Sequence, residues 1–154
     1  MEWVKALDGM VVGLDTSPLI YLIEEHPVYL PLVRPFFEAV DRGDFLVVTS
    51  TLTLTEVLVH PVRHGNQELA ERYRRILLGA SHIVTLPVSE GIAQQAAQLR
   101  VGGMLRTPDA IQLATALQSE ASCFLTIDSR LSAISALKVL VLNQLLGGVQ
   151  SSSH

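Results

Sequence analysis

Five short apolar runs punctuate the chain: Met10 to Leu14, Phe45 to Thr49, His82 to Leu86, Cys123 to Ile127 and Lys138 to Leu142. Their length and apolar content fit buried strands. Helix-length segments separate most of them, the alternation expected of a mainly parallel sheet sandwiched by helices. The clearest helix is predicted from about Pro108 to Gln118, where Ala110, Leu113, Ala114 and Leu117 fall on one stripe at i, i+3, i+4 and i+7. Thr107 and Pro108 supply an N-cap and a first-turn proline. Ser17 and Pro18 read the same way for a helix after the first strand. A further helix is predicted over Val88 to Val101, with Ile92, Ala96 and Leu99 on one face.

Two stretches give mixed signals. Phe45 to Val59 alternates apolar and polar through Leu52, Leu54 and Val57, a period that taken alone suggests one long strand. Thr53-x-x-Glu56 is also a capping-box pattern, and we place a helix start near it. Pro31 and Pro35 interrupt Pro27 to Val40 and blur its helix boundaries.

The chain has 154 residues, without repeats or composition breaks, which suits one domain over 1–146 followed by a frayed tail at 147–154. Apolar residues make up 49% of it, and the mean hydropathy is +0.37. No apolar run reaches the roughly 18 residues of a membrane helix. Met1-Glu2-Trp3-Val4-Lys5 lacks the layout of a secretion signal. A cytoplasmic protein without a membrane association is therefore expected, with its apolar excess covered by a partner or a second copy. Cys123 is the single cysteine, which excludes an internal disulfide and a cysteine zinc cluster. In Ala121-Ser122-Cys123-Phe124-Leu125 it reads as a core thiol. The net charge of −4 argues against a protein that coats nucleic acid nonspecifically.

The six aspartates are Asp8, Asp15, Asp41, Asp44, Asp109 and Asp128. Asp15 and Asp128 each stand at the carboxyl end of an apolar run, where open parallel sheets bind ligands. Neighbouring strands would aim both carboxylates into one cleft. Asp109 opens the strongest helix, and Glu56 lies in the first turn of another. Each acid also has an ordinary explanation. Asp109 favours a helix dipole, Asp128 fits an N-cap, and Glu56 completes its capping box. Asp15 is harder to explain this way, because Ser17 is available to cap. As a set, the four point to chemistry. Converging carboxylates repel one another unless a cation lies among them. Mg²⁺ and Mn²⁺ prefer oxygen ligands, and such an ion can activate water and polarise a phosphoryl oxygen. The chain has no Walker loop, G-x-S-x-G elbow or HExxH motif.

At these residues the sequence resembles the PIN-domain family, and within it the VapC-type toxin ribonucleases. Leu14-Asp15-Thr16-Ser17-Pro18-Leu19-Ile20-Tyr21 resembles the family's opening motif, and Thr51-Leu52-Thr53-Leu54-Thr55-Glu56-Val57-Leu58 its glutamate segment. Arg106-Thr107-Pro108-Asp109-Ala110-Ile111-Gln112-Leu113-Ala114-Thr115-Ala116 is similar to its third-acid helix and is the most specific stretch. Phe124-Leu125-Thr126-Ile127-Asp128 resembles the last acidic strand end, with Ile127 where many members carry Asn. The resemblance implies an α/β three-layer sandwich, with a central mainly parallel sheet of four to five strands and helices on both faces. It also implies a metal-dependent endoribonuclease that attacks RNA phosphodiesters in line with activated water, leaving a 5′-phosphate and a 3′-hydroxyl. A small antitoxin partner and a homodimer are further implications. Carried onto this chain, Asp15, Glu56, Asp109 and Asp128 are the catalytic set. Asp15, Asp109 and Asp128 would hold Mg²⁺ or Mn²⁺, with Glu56 orienting the attacking water. Thr16 and Thr126 are candidates to fix those carboxylates, or to satisfy nearby backbone.

Other residues have weaker signals. Arg106 precedes the Asp109 helix and could reach a substrate phosphate. Arg63, Arg72, Arg74 and Arg75 form a basic cluster better read as a solvated helix face paired with Glu68 and Glu71. His60 and His64 have a zinc-like spacing but lack a third ligand nearby. Tyr21 reads as a core residue or as one flanking the cleft, and Trp3 as a packing anchor. A PIN-like fold kept as a catalytically silent binding or regulatory module is the alternative function, and the presence of all four acids counts against it. A haloacid-dehalogenase-type phosphatase needs a second Asp at position 17, which is Ser. A receiver domain would want paired acids near its start, and Asp8 lies on the wrong side of the strand.

Overall fold

The computed structural model of the chain describes residues 1–134 and 136–146; the expected frayed tail lies outside the described residues. Five strands form one sheet: β1 (Val11–Leu14), β2 (Leu46–Ser50), β3 (Ile83–Leu86), β4 (Cys123–Thr126) and β5 (Lys138–Val141). Their order is β3-β2-β1-β4-β5 and every pairing is parallel. The helices include α1 (Glu2–Lys5), α2 (Thr16–Ile23), α3 (Leu30–Arg42), α4 (Thr51–Arg63), α5 (Gln67–Gly79), α6 (Glu90–Val101) and α7 (Thr107–Gln118). A 3-10 turn at Ser129–Ala133 links β4 to β5. The expected three-layer α/β sandwich is the observed one.

Strand alternation sorts the core onto the two faces. Val12, Leu14, Cys123 and Leu125 face a large core with Leu19, Phe36, Val57 and Tyr73 from the helices of one layer. Phe124 points the other way, against Leu113 and Ala116 of α7. Across α7, Ala110 and Ala114 pack with Ile92 and Ala96 of α6. Small residues on both helices permit that close approach. Gly13 serves the same end in β1, since a Cβ there would stand 2.6 Å from Ala116 Cβ.

Several helix starts differ from the sequence expectation. Asp15, rather than Ser17, caps α2, accepting from Thr16 N at 2.8 Å. Ser17 lies inside the first turn. Helix α4 follows β2 directly, and its cap is Ser50, whose Oγ accepts from Leu52 N at 3.0 Å. The capping box at Thr53 and Glu56 does not form: Thr53 is buried, and Glu56 bonds to another helix. Its alternating pattern reflects a strand that becomes a helix at Thr51. Helix α7 starts at Thr107, so Arg106 occupies the cap position without a side-chain cap bond. Pro31 sits in the first turn of α3 and Pro35 inside it. Among the described residues no helix is long and apolar enough to cross a membrane.

Candidate active site

The carboxyl ends of β1 and β4 lie side by side, because Leu14 pairs with Leu125. Just beyond them, a cleft of about 370 Å³ is lined by Asp15, Glu56, Arg106, Asp109 and Asp128, with Thr16 at its wall. Four acids separated by up to 113 positions in the sequence (15 to 128) thus face one space. Each arrives on a different element: the end of β1, α4, the first turn of α7, and the segment after β4.

Asp15 is held at both carboxylate oxygens. Thr126 Oγ1 donates to Asp15 Oδ2 at 2.7 Å, and Thr16 N donates to Oδ1. Burial raises its pKa above the ordinary carboxylate value. The two hydrogen bonds pull it down, and the negative fields of Asp109 and Glu56 push it further up. Thr126 serves a second acid through its accepting side, since Asp128 N donates to Thr126 Oγ1 at 3.1 Å. Thr16 Oγ1 donates to Glu56 Oε1 at 2.7 Å. Both threonines therefore hold carboxylates, one of the two roles open to them from sequence.

The cleft is not uniformly negative. Arg130 grips Asp128 through Nε at 3.0 Å and Nη2 at 2.5 Å, and its hydrogen bonds hold the Asp128 carboxyl below its usual pKa. Asp128 also caps the 3-10 turn, accepting from Arg130 N, which is the N-cap role its sequence position offered. Arg106 Nε stands 3.9 Å from Asp109 Oδ2, with most of its side chain in solvent. Arg130 went unnoticed in the sequence, although Asp128-Ser129-Arg130 is a local acid–base pair. Gln112 was missed too; its signal is a lone amide between Ile111 and Leu113 on a buried helix face.

Among the described residues no three His, Cys, Asp or Glu side chains converge tightly enough to make a ready cage for a bare ion. Mg²⁺ ordinarily keeps several waters and uses one or two carboxylates. The donor set in the cleft, oxygen-only and bearing a desolvated Asp15 beside two further acids, suits a hydrated hard cation. The imidazoles of His60 and His64 lie 4.5 Å apart between centroids, tilted by 59°, with no third ligand grouped with them among the described residues. Arg63, Arg72, Arg74 and Arg75 do not line the cleft; Arg74 pairs with Glu71 at 3.0 Å. Tyr21 stacks on Tyr29, Trp3 stacks on Phe36, and Cys123 is buried.

A family model described as PIN domain matches residues 12–137. No curated protein matches the sequence. Among solved structures, one similar fold is VapBC2 from Rickettsia felis bound to a DNA fragment from its promoter. It has a TM-score of 0.68 and 18% identity, covering 86% of this chain and 98% of that one. A toxin–antitoxin complex from Klebsiella pneumoniae gives a TM-score of 0.63 at 25% identity, over 86% and 97% of the two chains. VapC20 of Mycobacterium tuberculosis, a toxin that cleaves the sarcin–ricin loop, gives 0.65 at 18% identity, over 80% and 93%.

Proposed function

The chain belongs to the PIN-domain family, and from that premise we propose that it is a Mg²⁺- or Mn²⁺-dependent endoribonuclease, the toxin of a toxin–antitoxin pair. The observation that carries this reading is the meeting of Asp15, Glu56, Asp109 and Asp128 in one cleft, with Asp15 desolvated among them. The toxin–antitoxin assemblies among the similar structures support a small antitoxin partner, and the loop-cleaving toxin supports RNA as substrate. A homodimer and a cytoplasmic location belong to the same proposal.

In this mechanism Asp15 and Asp109, with Asp128, would hold the cation. When bound, that ion supplies water activation and charge neutralisation at the phosphate. Thr126 and the Thr16 amide fix the rotamer of Asp15, so its oxygens are pre-set. Glu56 has one oxygen engaged by Thr16, leaving the other to orient the attacking water. Arg106 meets a phosphate oxygen at the cleft mouth and holds it in place.

The test is cleavage of a defined RNA by purified protein in Mg²⁺ or Mn²⁺. EDTA should abolish it, the products should carry 5′-phosphates, and Asp15→Asn and Asp109→Asn should fold yet be inert. An Asp15→Asn variant as active as the parent would end the assignment.

A further inference from the structure

Beneath the acids lies a buried polar chain that no catalytic role above requires. Gln112 stands one turn along α7 from Asp109 and is 3% exposed. Its Nε2 donates to Thr53 Oγ1 at 2.7 Å and to Thr16 Oγ1 at 3.4 Å. Its Oε1 accepts from Ser50 Oγ at 3.3 Å. Ser50 in turn caps α4, the helix that carries Glu56. One amide therefore touches side chains on α2, on α4 and at the end of β2.

The proton directions in this chain are determined. Thr49 Oγ1 donates to the Leu14 carbonyl at 2.9 Å, which uses its only proton. The 2.7 Å contact between Thr49 and Thr53 is then a donation by Thr53. Thr53 must accept elsewhere, and Gln112 is the donor. Thr16 spends its proton on Glu56, so it too can only accept from Gln112. Flipping the amide would set its carbonyl against two hydroxyls with no proton to give. One branch thus runs from Gln112 through Thr16 to the Glu56 carboxylate. The other runs through Thr53 and Thr49 to Leu14, the residue before Asp15.

We propose that Gln112 is a positioning residue for the proposed nuclease: by donating to Thr16 Oγ1 while Thr16 donates to Glu56, its amide holds the hydroxyl in place and so sets the rotamer of that carboxylate relative to Asp109 and Asp15. This rests on the nuclease reading for its consequence, but not for its existence. Only a side chain with both a donor and an acceptor fits, because Ser50 requires the carbonyl and the two threonines require the NH₂.

The experiment has two arms. In steady-state RNA cleavage, Gln112→Met, which keeps length and removes both polar atoms, should lower kcat by about 10- to 100-fold with KM nearly unchanged. In a Glu56→Gln background the same change should cost almost nothing further. Equal losses in both backgrounds would mean that Gln112 merely supports the fold, and would overturn the proposal. The second arm reads the Gln112 side-chain amide by ¹⁵N NMR in metal-free protein. Its two protons should be well dispersed and should shift on Thr16→Val and on Glu56→Gln, but not on Asp128→Asn, which shares no hydrogen bond with the chain. An amide indifferent to both Thr16→Val and Glu56→Gln would refute the coupling. If the parent cleaves no RNA, the nuclease reading fails, while this second arm still decides whether Gln112 is coupled to Glu56.

Discussion

Gly13 offers a quantitative test of how the sheet holds the site. It lies in β1, hydrogen-bonded to neighbours on both sides and two residues before Asp15. A Cβ added there would stand 2.6 Å from Ala116 Cβ and 2.9 Å from Phe124 Cδ2. Carbon atoms pack best at about 3.5–4.0 Å, so β1 and α7 must part by roughly an ångström. Neither neighbour can yield easily: Ala116 Cβ is fixed to a helix backbone, and Phe124 is 1% exposed. Overpacking of this kind costs about 1–3 kcal/mol. For a chain of this size that is a fall in Tm of roughly 2–12 °C. Gly13→Ala and the parent would be compared by thermal and urea melts in EDTA at neutral pH. The compensating change is Ala116→Gly, which alone costs about 1 kcal/mol of helix propensity. Combined with Gly13→Ala it should destabilise by less than the sum, with a favourable coupling of about 1 kcal/mol. A Gly13→Ala loss below ~0.5 kcal/mol, or strict additivity with Ala116→Gly, would refute the steric reasoning.

Three further outcomes are expected. Burial raises the Asp15 pKa, so its contribution to stability is fullest below the unfolded carboxylate value and is lost as pH rises through the folded one. Asp15→Asn should accordingly gain in Tm relative to the metal-free parent on going from acid to neutral pH; a difference that falls over that range would contradict the assigned cause. Asp128 is shifted the other way, chiefly by its hydrogen bonds to Arg130, and its stabilisation is lost as pH falls through the depressed value. Arg130→Ala should return the Asp128 carboxyl towards the ordinary range in ¹³C-detected titration, and an unmoved value would show that Arg130 is not the cause. Burial pushes the Cys123 thiol up to about 11, so iodoacetamide at pH 8 should label it only after denaturation, as followed by mass spectrometry.

The strands were readable because parallel strands buried on both faces produce continuous apolar runs. Each predicted run overlaps its observed strand to within a residue or two. Helix starts were less readable, because a cap depends on which oxygen finally meets a free N–H. Asp15 has a side-chain role in capping α2 as well as its place in the cleft, and Ser50 displaced the apparent box at Thr53. The candidate site was legible as four acids near element starts. Their convergence follows from β1 and β4 being neighbours, which local periodicity cannot encode. Residues that hold the acids were only half visible. Thr16 and Thr126 are adjacent to motif positions, whereas Gln112 and Arg130 acquire meaning only through partners far away in sequence or through the turn geometry at Asp128.

The carboxylates in the cleft are proposed together to create a place for a divalent cation. Calorimetric titration of Mn²⁺ into metal-free protein tests it without any substrate. The expected result is saturable binding by the parent that is lost in both Asp15→Asn and Asp109→Asn while their folds persist. Mn²⁺ binding of equal affinity in all three proteins would contradict it.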